Sequence, residues 1–215
     1  MSLKLYYHPL ASFCWKVLIP LYENGVRFEG HIVDLADERS RADFLRIWPV
    51  GKFPVLRDDA RDRTVPESST IIEYLDQHYS GPTPLLPADP DLARQVRFRD
   101  RFYDHYVHHP MQKIVTDRIR PEGKHDEHGV EEARALLHTS LNMVDAEMAH
   151  KQWGMGDAFS MADCAAAPAL FYADKVLPLA GSHRYAAAYL DRLKQRSSFA
   201  RVLEEAQPYF RFFPE

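Results

Sequence analysis

Cysteine is almost absent from this sequence: of 215 residues only two carry a thiol, Cys14 and Cys164. They lie far apart and form no metal-ligand pattern, so a disulfide between them is not expected and a reducing, cytoplasmic setting is. An excess of positive charge is lacking as well. With 27 Lys and Arg against 31 Asp and Glu, the formal net charge is −4, which argues against nucleic acid or an anionic membrane as a partner. No apolar run approaches the roughly 18 residues a membrane span needs, and the opening MSLKLYYHP reads as a strand rather than a targeting segment. There is no internal repeat. What remains is ordinary globular composition, 46% hydrophobic and 27% charged, with enough chain for one or two domains around a real core.

The most informative stretch is Trp48–Leu56, WPVGKFPVL, taken with Glu67 and Ser68 just downstream. A Gly-Lys-Phe-Pro-Val run between apolar segments reads as a turn entering a short strand, with Pro54 at its mouth. Proline cannot donate to a ladder, and X–Pro bonds lose most of their trans preference, so a cis bond fits such a turn. A cis Phe53–Pro54 bond would leave the Phe53 N–H and C=O unpaired and extended, an edge that accepts a peptide-like ligand as an added strand. Pro66-Glu67-Ser68-Ser69 then opens an apolar helical pattern, and helix N-termini bind carboxylates. A small peptide with a free carboxylate suits both features.

Taken in order, residues 3–7 read as a strand and Phe13–Asn24 as an apolar helix closed by Asn24-Gly25. Pro20 inside that helix is expected to kink or shorten it. Residues 27–33 read as a second strand, 37–47 as a short polar helix, and 53–57 with 63–66 as a hairpin across Asp58-Asp59-Ala60. Ser69–Tyr79 is a helix with Ile71, Ile72 and Leu75 on one face. Gly81-Pro82-Thr83-Pro84 and Pro87-Ala88-Asp89-Pro90 follow as a proline-rich linker. The rest reads as helices over 91–118, 130–151, 160–176, 183–195 and 198–206, then an aromatic tail through Phe213. Ser160-Met161-Ala162-Asp163 resembles a capping box with Asp in place of Glu or Gln, and Pro168 implies a bend in the helix that it opens.

These marks together resemble the glutathione transferase family across essentially the whole chain: Tyr7-His8-Pro9 before Ser12, Gly51-Lys52-Phe53-Pro54-Val55-Leu56, Glu67-Ser68 and Ser160-Met161-Ala162-Asp163. Each is weak alone; together at family spacing they carry the assignment, with a bacterial look and a leaning to the serine- or cysteine-type classes. The resemblance implies an α+β/α two-domain fold. A thioredoxin-like glutathione-binding domain covers 1–80, the Pro-rich linker 81–90, and an all-helical domain with the electrophile site 91–215. It also implies a homodimer, glutathione as co-substrate, and no metal.

By the same resemblance, Phe53 before Pro54 pairs its backbone with the cysteinyl unit of glutathione. Glu67 and Ser68 hold the γ-glutamyl end, and Lys52 meets the glycine carboxylate. The thiolate is the nucleophile, and a hydroxyl at the N-terminus of the first helix would favour it through a hydrogen bond and the helix dipole. Ser12 fits that role, with plain helix capping as the competing reading. Cys14 is the alternative, through mixed disulfides, if its sulfur faces the cleft; Tyr6 and Tyr7 allow a tyrosine-type mechanism. The electrophile site is expected between the domains, lined by Leu10, Tyr103, Tyr106, His109 and Met111. His105-x-x-His108-His109 and His125-x-x-His128 have metal-like spacing but no cysteine or clear acidic partner, so solvated histidines are expected. The leading function is conjugation of glutathione to small hydrophobic electrophiles. An isomerase or a thiol-disulfide reductase on the same site, and a non-catalytic glutathione-binding stress module, are the alternatives.

Overall fold

The computed structural model describes residues 2–214. Four strands, β1 Leu3–Tyr7, β2 Glu29–Ile32, β3 Val55–Asp58 and β4 Arg63–Pro66, form one sheet in the order β2-β1-β3-β4. β1 runs parallel to β2 and antiparallel to β3, with Leu5 opposite both Gly30 and Leu56. Parallel neighbours need a crossover, supplied here by α1, Ser12–Glu23. The remaining helices of this half are α2, Glu38–Ile47, and α3, Ser68–His78. Two strands differ from expectation. β2 is shorter because it is an edge strand paired only with β1. β3 begins at Val55 rather than Phe53, because Pro54 has no N–H to give a ladder. The Phe53–Pro54 bond is cis.

α1 is a core helix, buried from Cys14 through Leu21. Pro20 does not shorten it: the helix continues to Glu23. It then closes as the Asn24-Gly25 pair leads one to expect. Gly25 has φ +62°, its N–H goes to the Tyr22 carbonyl, and the Val26 N–H reaches back to Leu21, the Schellman arrangement.

All other regular structure is helical: α4 Pro90–Phe102, a π-helical turn Tyr103–His108, α5 His109–Arg118, α6 Glu127–Met148, α7 Met161–Val176, α8 Arg184–Gln195 and α9 Ser197–Ala206, ending in a 3₁₀ turn, Gln207–Phe212. One apolar cluster runs unbroken from Leu3, Leu5 and Leu56 of the sheet through Trp15 and Leu18 to Val107, Leu141, Leu170 and Tyr189 of the helices. A smaller one, Val33, Phe44 and Val55, lies under α2. The proline-rich segment between α3 and α4 is pinned along its length. The Asn24 amide donates to the Thr83 carbonyl and accepts from the Thr83 N–H, at 3.0 and 2.9 Å. At Gly81 any side chain would meet the Asn24 Cβ at 2.5 Å, so only glycine allows this approach. Leu85, fully buried, takes the Met161 N–H at 3.0 Å.

The capping box at α7 is present and does more than cap. Asp163 Oδ2 accepts from the Ser160 N–H at 2.9 Å, while Oδ1 accepts from the Gly154 N–H at 2.7 Å and the Tyr189 hydroxyl at 2.6 Å. Burial pushes this carboxyl up, against the pull of those donors. Asp163→Ala leaves several buried donors unpaired and is expected to cost about 3 kcal/mol of stability. Urea unfolding with an unchanged m-value checks this; a loss within experimental error refutes it.

Candidate functional site

Three helix starts and one turn converge on a cleft between the sheet and the helical part. The loop before α1 is fixed from behind. The Trp15 indole donates to the Pro9 carbonyl at 2.5 Å, and the Tyr172 hydroxyl donates to the Leu10 carbonyl at 2.7 Å. This sets Ser12 as the first residue of α1, only 7% exposed, on the wall of a cleft of ≈ 500 Å³. The N-cap is Ala11, not Ser12, and no side chain caps the helix. The Ser12 hydroxyl is therefore not engaged in capping.

The wider cleft is mostly apolar, walled by Leu10, Phe13, Met111, Val115, Phe212 and Phe213, with His108, His109 and Gln112 among them. Phe13, Lys52, Phe53 and His109 also wall a second, narrower cleft of ≈ 210 Å³, completed by Pro54, Glu67, Ser68, Arg101, Asp104 and His105. The structure thus brings together every residue expected at the peptide end, namely Lys52, Phe53, Pro54, Glu67 and Ser68, while Ser12 walls the wider cleft next to Phe13, which both clefts share. Phe53 stacks on His8 at 5.8 Å, and its backbone groups make no backbone hydrogen bond among the described residues. Glu67, the residue before α3, has φ +68°. A non-glycine residue held there costs of order 1–3 kcal/mol and is typical of ligand clamps.

Behind both clefts lies a buried charge cluster. The Lys16 ammonium, 1% exposed, meets Asp100 at 2.7 Å, Asp104 at 2.7 Å and the Ser69 hydroxyl at 2.9 Å. Ser69 in turn donates to Asp100 at 2.6 Å. One cation so joins α1, α3, α4 and the π turn. Burial holds the Asp104 carboxyl above its ordinary range, against the pull of Lys16.

Three expectations need correction. Tyr103 does not line the cleft: it is buried in the core, where burial pushes its phenol up, and packs edge-on against Phe102 at 5.8 Å. Tyr106 does not line it either; it is exposed and leans on Phe102 at 5.5 Å. Both were placed by the 3.6-residue period, which the π turn breaks. There the His109 N–H reaches five residues back to Asp104. Pro110 supplies a reason, since it has no N–H for the Tyr106 carbonyl and its ring would clash with it. The changed register turns Asp104, His105 and His108 to the clefts instead, and Pro110 was the signal of it in the sequence. His109, Met111 and Leu10 lie where expected. Cys14, the third correction, is fully buried, its sulfur facing the His8 N–H at 3.5 Å, and burial pushes its thiol well up. A buried neutral thiol is a poor nucleophile.

Tyr6 stacks on His31 at 5.0 Å, away from both clefts. Tyr7 lines neither cleft and shares a separate hollow with Trp15, Val202 and Glu205. The histidines at 105 and 109 approach to 3.5 Å, and no group of three or more His, Cys, Asp or Glu among the described residues is placed to hold a metal. Among the described residues no helix is long and apolar enough to cross a membrane.

Comparison with known proteins settles the family. The glutathione S-transferase N-terminal domain model matches residues 5–83 and the C-terminal domain model residues 127–205. The chain belongs to the glutathione transferase family. Among its relatives, a stringent starvation protein A homolog from Coxiella burnetii is 31% identical, over 96% of this chain and 94% of that protein. Glutathione S-transferase F10 of Arabidopsis thaliana is 27% identical, over 91% of this chain and 94% of that one. A glutathione S-transferase from Methylobacillus flagellatus, solved with glutathione bound, superposes with a TM-score of 0.85 at 27% identity, covering 94% of this chain and 98% of that one. The family's thioredoxin-like half and all-helical half are the two parts described above.

Two outcomes are expected from this geometry. In the native protein neither cysteine reacts with a thiol reagent on the timescale of free thiols, whereas both react on unfolding; rapid labelling of Cys14 would contradict the burial found here. Lys16→Met strands two buried carboxylates and is expected to lose about 3–5 kcal/mol at pH 7. Because stranded carboxyls have folded-state pKa values raised above the unfolded ones, the loss shrinks as pH falls towards about 4. Denaturation of both proteins across pH checks this; a pH-independent gap refutes it.

Proposed function

We propose that this protein is a glutathione S-transferase that activates the glutathione thiol and conjugates it to small hydrophobic electrophiles. The observation that carries this reading is the meeting of a charged cleft and a largely apolar one along Phe13, Lys52, Phe53 and His109, with Ser12 next to Phe13 in the wall of the apolar one. Glutathione lies in the narrower cleft, its γ-glutamyl carboxylate on the Ser68 end of α3 and its ammonium on Glu67. Its cysteinyl backbone pairs with Phe53 beside Pro54, and its glycine carboxylate meets Lys52. Two charged ends and one extended backbone then fix the sulfur at the start of α1. There the Ser12 hydroxyl donates to the thiolate, and the α1 dipole adds to the preference for the charged form. The electrophile occupies the wider cleft against Leu10, Met111 and His109, where exclusion of water leaves the thiolate the available nucleophile. The relative solved with glutathione bound supports the first half of this account.

The wider proposal includes a cytoplasmic homodimer that needs no metal. The exposed Leu92, Phe98 and Tyr106 side chains of α4 and the π turn support the dimer, and light scattering on the purified protein tests it. A second reading is favoured by one observation, the 31% identity to a stringent starvation protein A homolog: a glutathione-binding module without turnover. Burial of Cys14 speaks against the reductase alternative.

Ultraviolet titration of bound glutathione separates the two readings. For the transferase the bound thiol ionises well below its free pKa of about 8.5. Ser12→Ala then raises that value by about one unit or more, about 1.4 kcal/mol of lost preference for the thiolate per unit. Binding with an unshifted thiol in both proteins would leave the binding module.

A further inference from the structure

Two histidines wall the narrower cleft without an assigned role there. His105 lies in the π turn and His109 is the first residue of α5. In a turn that closes five residues back, side chains four apart stand almost above one another. Their Nδ1 atoms are 3.5 Å apart and their ring centres 5.2 Å, with the planes at 59°. A nitrogen-to-nitrogen contact of that length is a poor hydrogen bond. The ring centres are also closer than two imidazoles pointing nitrogen at nitrogen in line would allow, so the lone pairs are tilted off the line that joins them. Two nitrogens on one tetrahedral zinc ion, each at about 2.0–2.1 Å, stand about 3.3–3.4 Å from each other. The pair is therefore spaced as two ligands of a single ion are. Among the described residues no third His, Cys, Asp or Glu completes a metal set with them. A thiol in the cleft would. His109 walls both clefts, and its ring lies 6.4 Å from that of Phe13, the residue after Ser12. It thus stands beside the start of α1, where the sulfur of glutathione is placed above. Burial, with His105 and Lys52, holds the His109 imidazole below its ordinary pKa, so the ring is neutral and able to ligate at physiological pH.

We propose that His105, His109 and the sulfur of bound glutathione together form a site for a thiophilic divalent cation, zinc or cadmium, with water in the fourth position. This rests on the glutathione-binding half of the reading above. Imidazole and thiolate are the donors such ions favour, and three of them with one open position make a tetrahedral set. On binding, the thiol proton passes to solvent, the sulfur lone pair makes the bond to the metal, and no oxidation state changes. Two neutral imidazoles in a cleft that also holds Lys52 and Arg101 bind a dication weakly by themselves. The thiolate adds a third ligand and a negative charge. Cation and glutathione therefore bind together, each raising the affinity for the other by the same factor. A sulfur that shares its electrons with a metal ion is a weaker nucleophile, so the same ion inhibits conjugation.

The test measures zinc retained by the whole protein in equilibrium dialysis, first alone, then with glutathione, then with S-methylglutathione, which fills the same cleft with its sulfur blocked. Affinity is referred to free zinc, so that zinc held by glutathione in solution does not count. It is expected to rise about tenfold or more with glutathione and to stay within about twofold with S-methylglutathione. Nitrogen NMR of the wild type shows the Nδ1 signals of His105 and His109 moving when zinc and glutathione are both present, while that of His108 stays. In His105→Ala the glutathione-dependent rise is lost. An equal rise with glutathione and S-methylglutathione, or imidazole signals that do not move, overturns the proposal without recourse to any variant. Calorimetry of glutathione with the metal-free protein keeps the two readings apart. Glutathione that binds but leaves zinc affinity unchanged overturns this site alone, whereas a protein that binds no glutathione loses both.

Discussion

A single buried ammonium ties the functional surfaces of this protein to one another. Lys16 comes from α1, whose first residue is Ser12; Ser69 follows Ser68 at the start of α3; Asp100 and Asp104 lead into the turn that carries His108 and His109. The starts of α1 and α3 and the π turn, three of the segments that wall the two clefts, are thus one step removed from the same charge. Taking an ammonium and two carboxylates out of water is costly, and apolar residues of equal volume would often be at least as stable. What the cluster supplies instead is position. Its hydrogen bonds are short and directional, and a shift of any one helix along its axis would leave a buried charge unpaired.

The clefts divide the chemistry between them. The narrower one gathers Lys52, Glu67, Ser68, Arg101 and Asp104, charges of both signs within reach of a zwitterionic peptide. The wider one is largely carbon, and the aromatic tail closes it. Lys175 holds that tail, lying within 5.1–5.6 Å of the ring centres of Phe171, Phe210 and Phe213, contacts of the cation–π kind. Arg118 donates to the Pro214 carbonyl at 3.1 Å, and Phe213 stacks on Tyr172 at 5.4 Å. Tyr172 is also the residue that holds Leu10, so the aromatic tail beside the wider cleft and the loop before Ser12 share one support.

Much of this was legible in the sequence because it is written in local chemistry. Proline at a strand mouth, Asn-Gly at a helix end, and Ser and Asp three apart at a helix start each act within a few residues, and each was found where the pattern put it. The peptide cleft shared that advantage, since its residues cluster in two short segments. The wider cleft did not. Its walls come from distant parts of the chain, and the period used to align residues 103–111 fails at the π turn that precedes Pro110. Ser12 was ambiguous between cap and donor because one residue decides which of the two it is; the structure gives the cap position to Ala11. The fate of Cys14 depended on packing from the whole of α1, which no short window records.

The contact between Gly81 and Asn24 has a consequence for motion. A segment rich in proline between two halves of a chain invites the picture of a hinge, with ligands entering as the halves swing apart. Here that segment is bolted to the end of α1 at Thr83 and to α7 at Leu85, and the apolar core passes through the seam without a break. Swinging the halves apart would expose that core and strand the buried ammonium. Access to either cleft is then a matter for side chains and for the last turn of the chain, within a frame that is set when the protein folds.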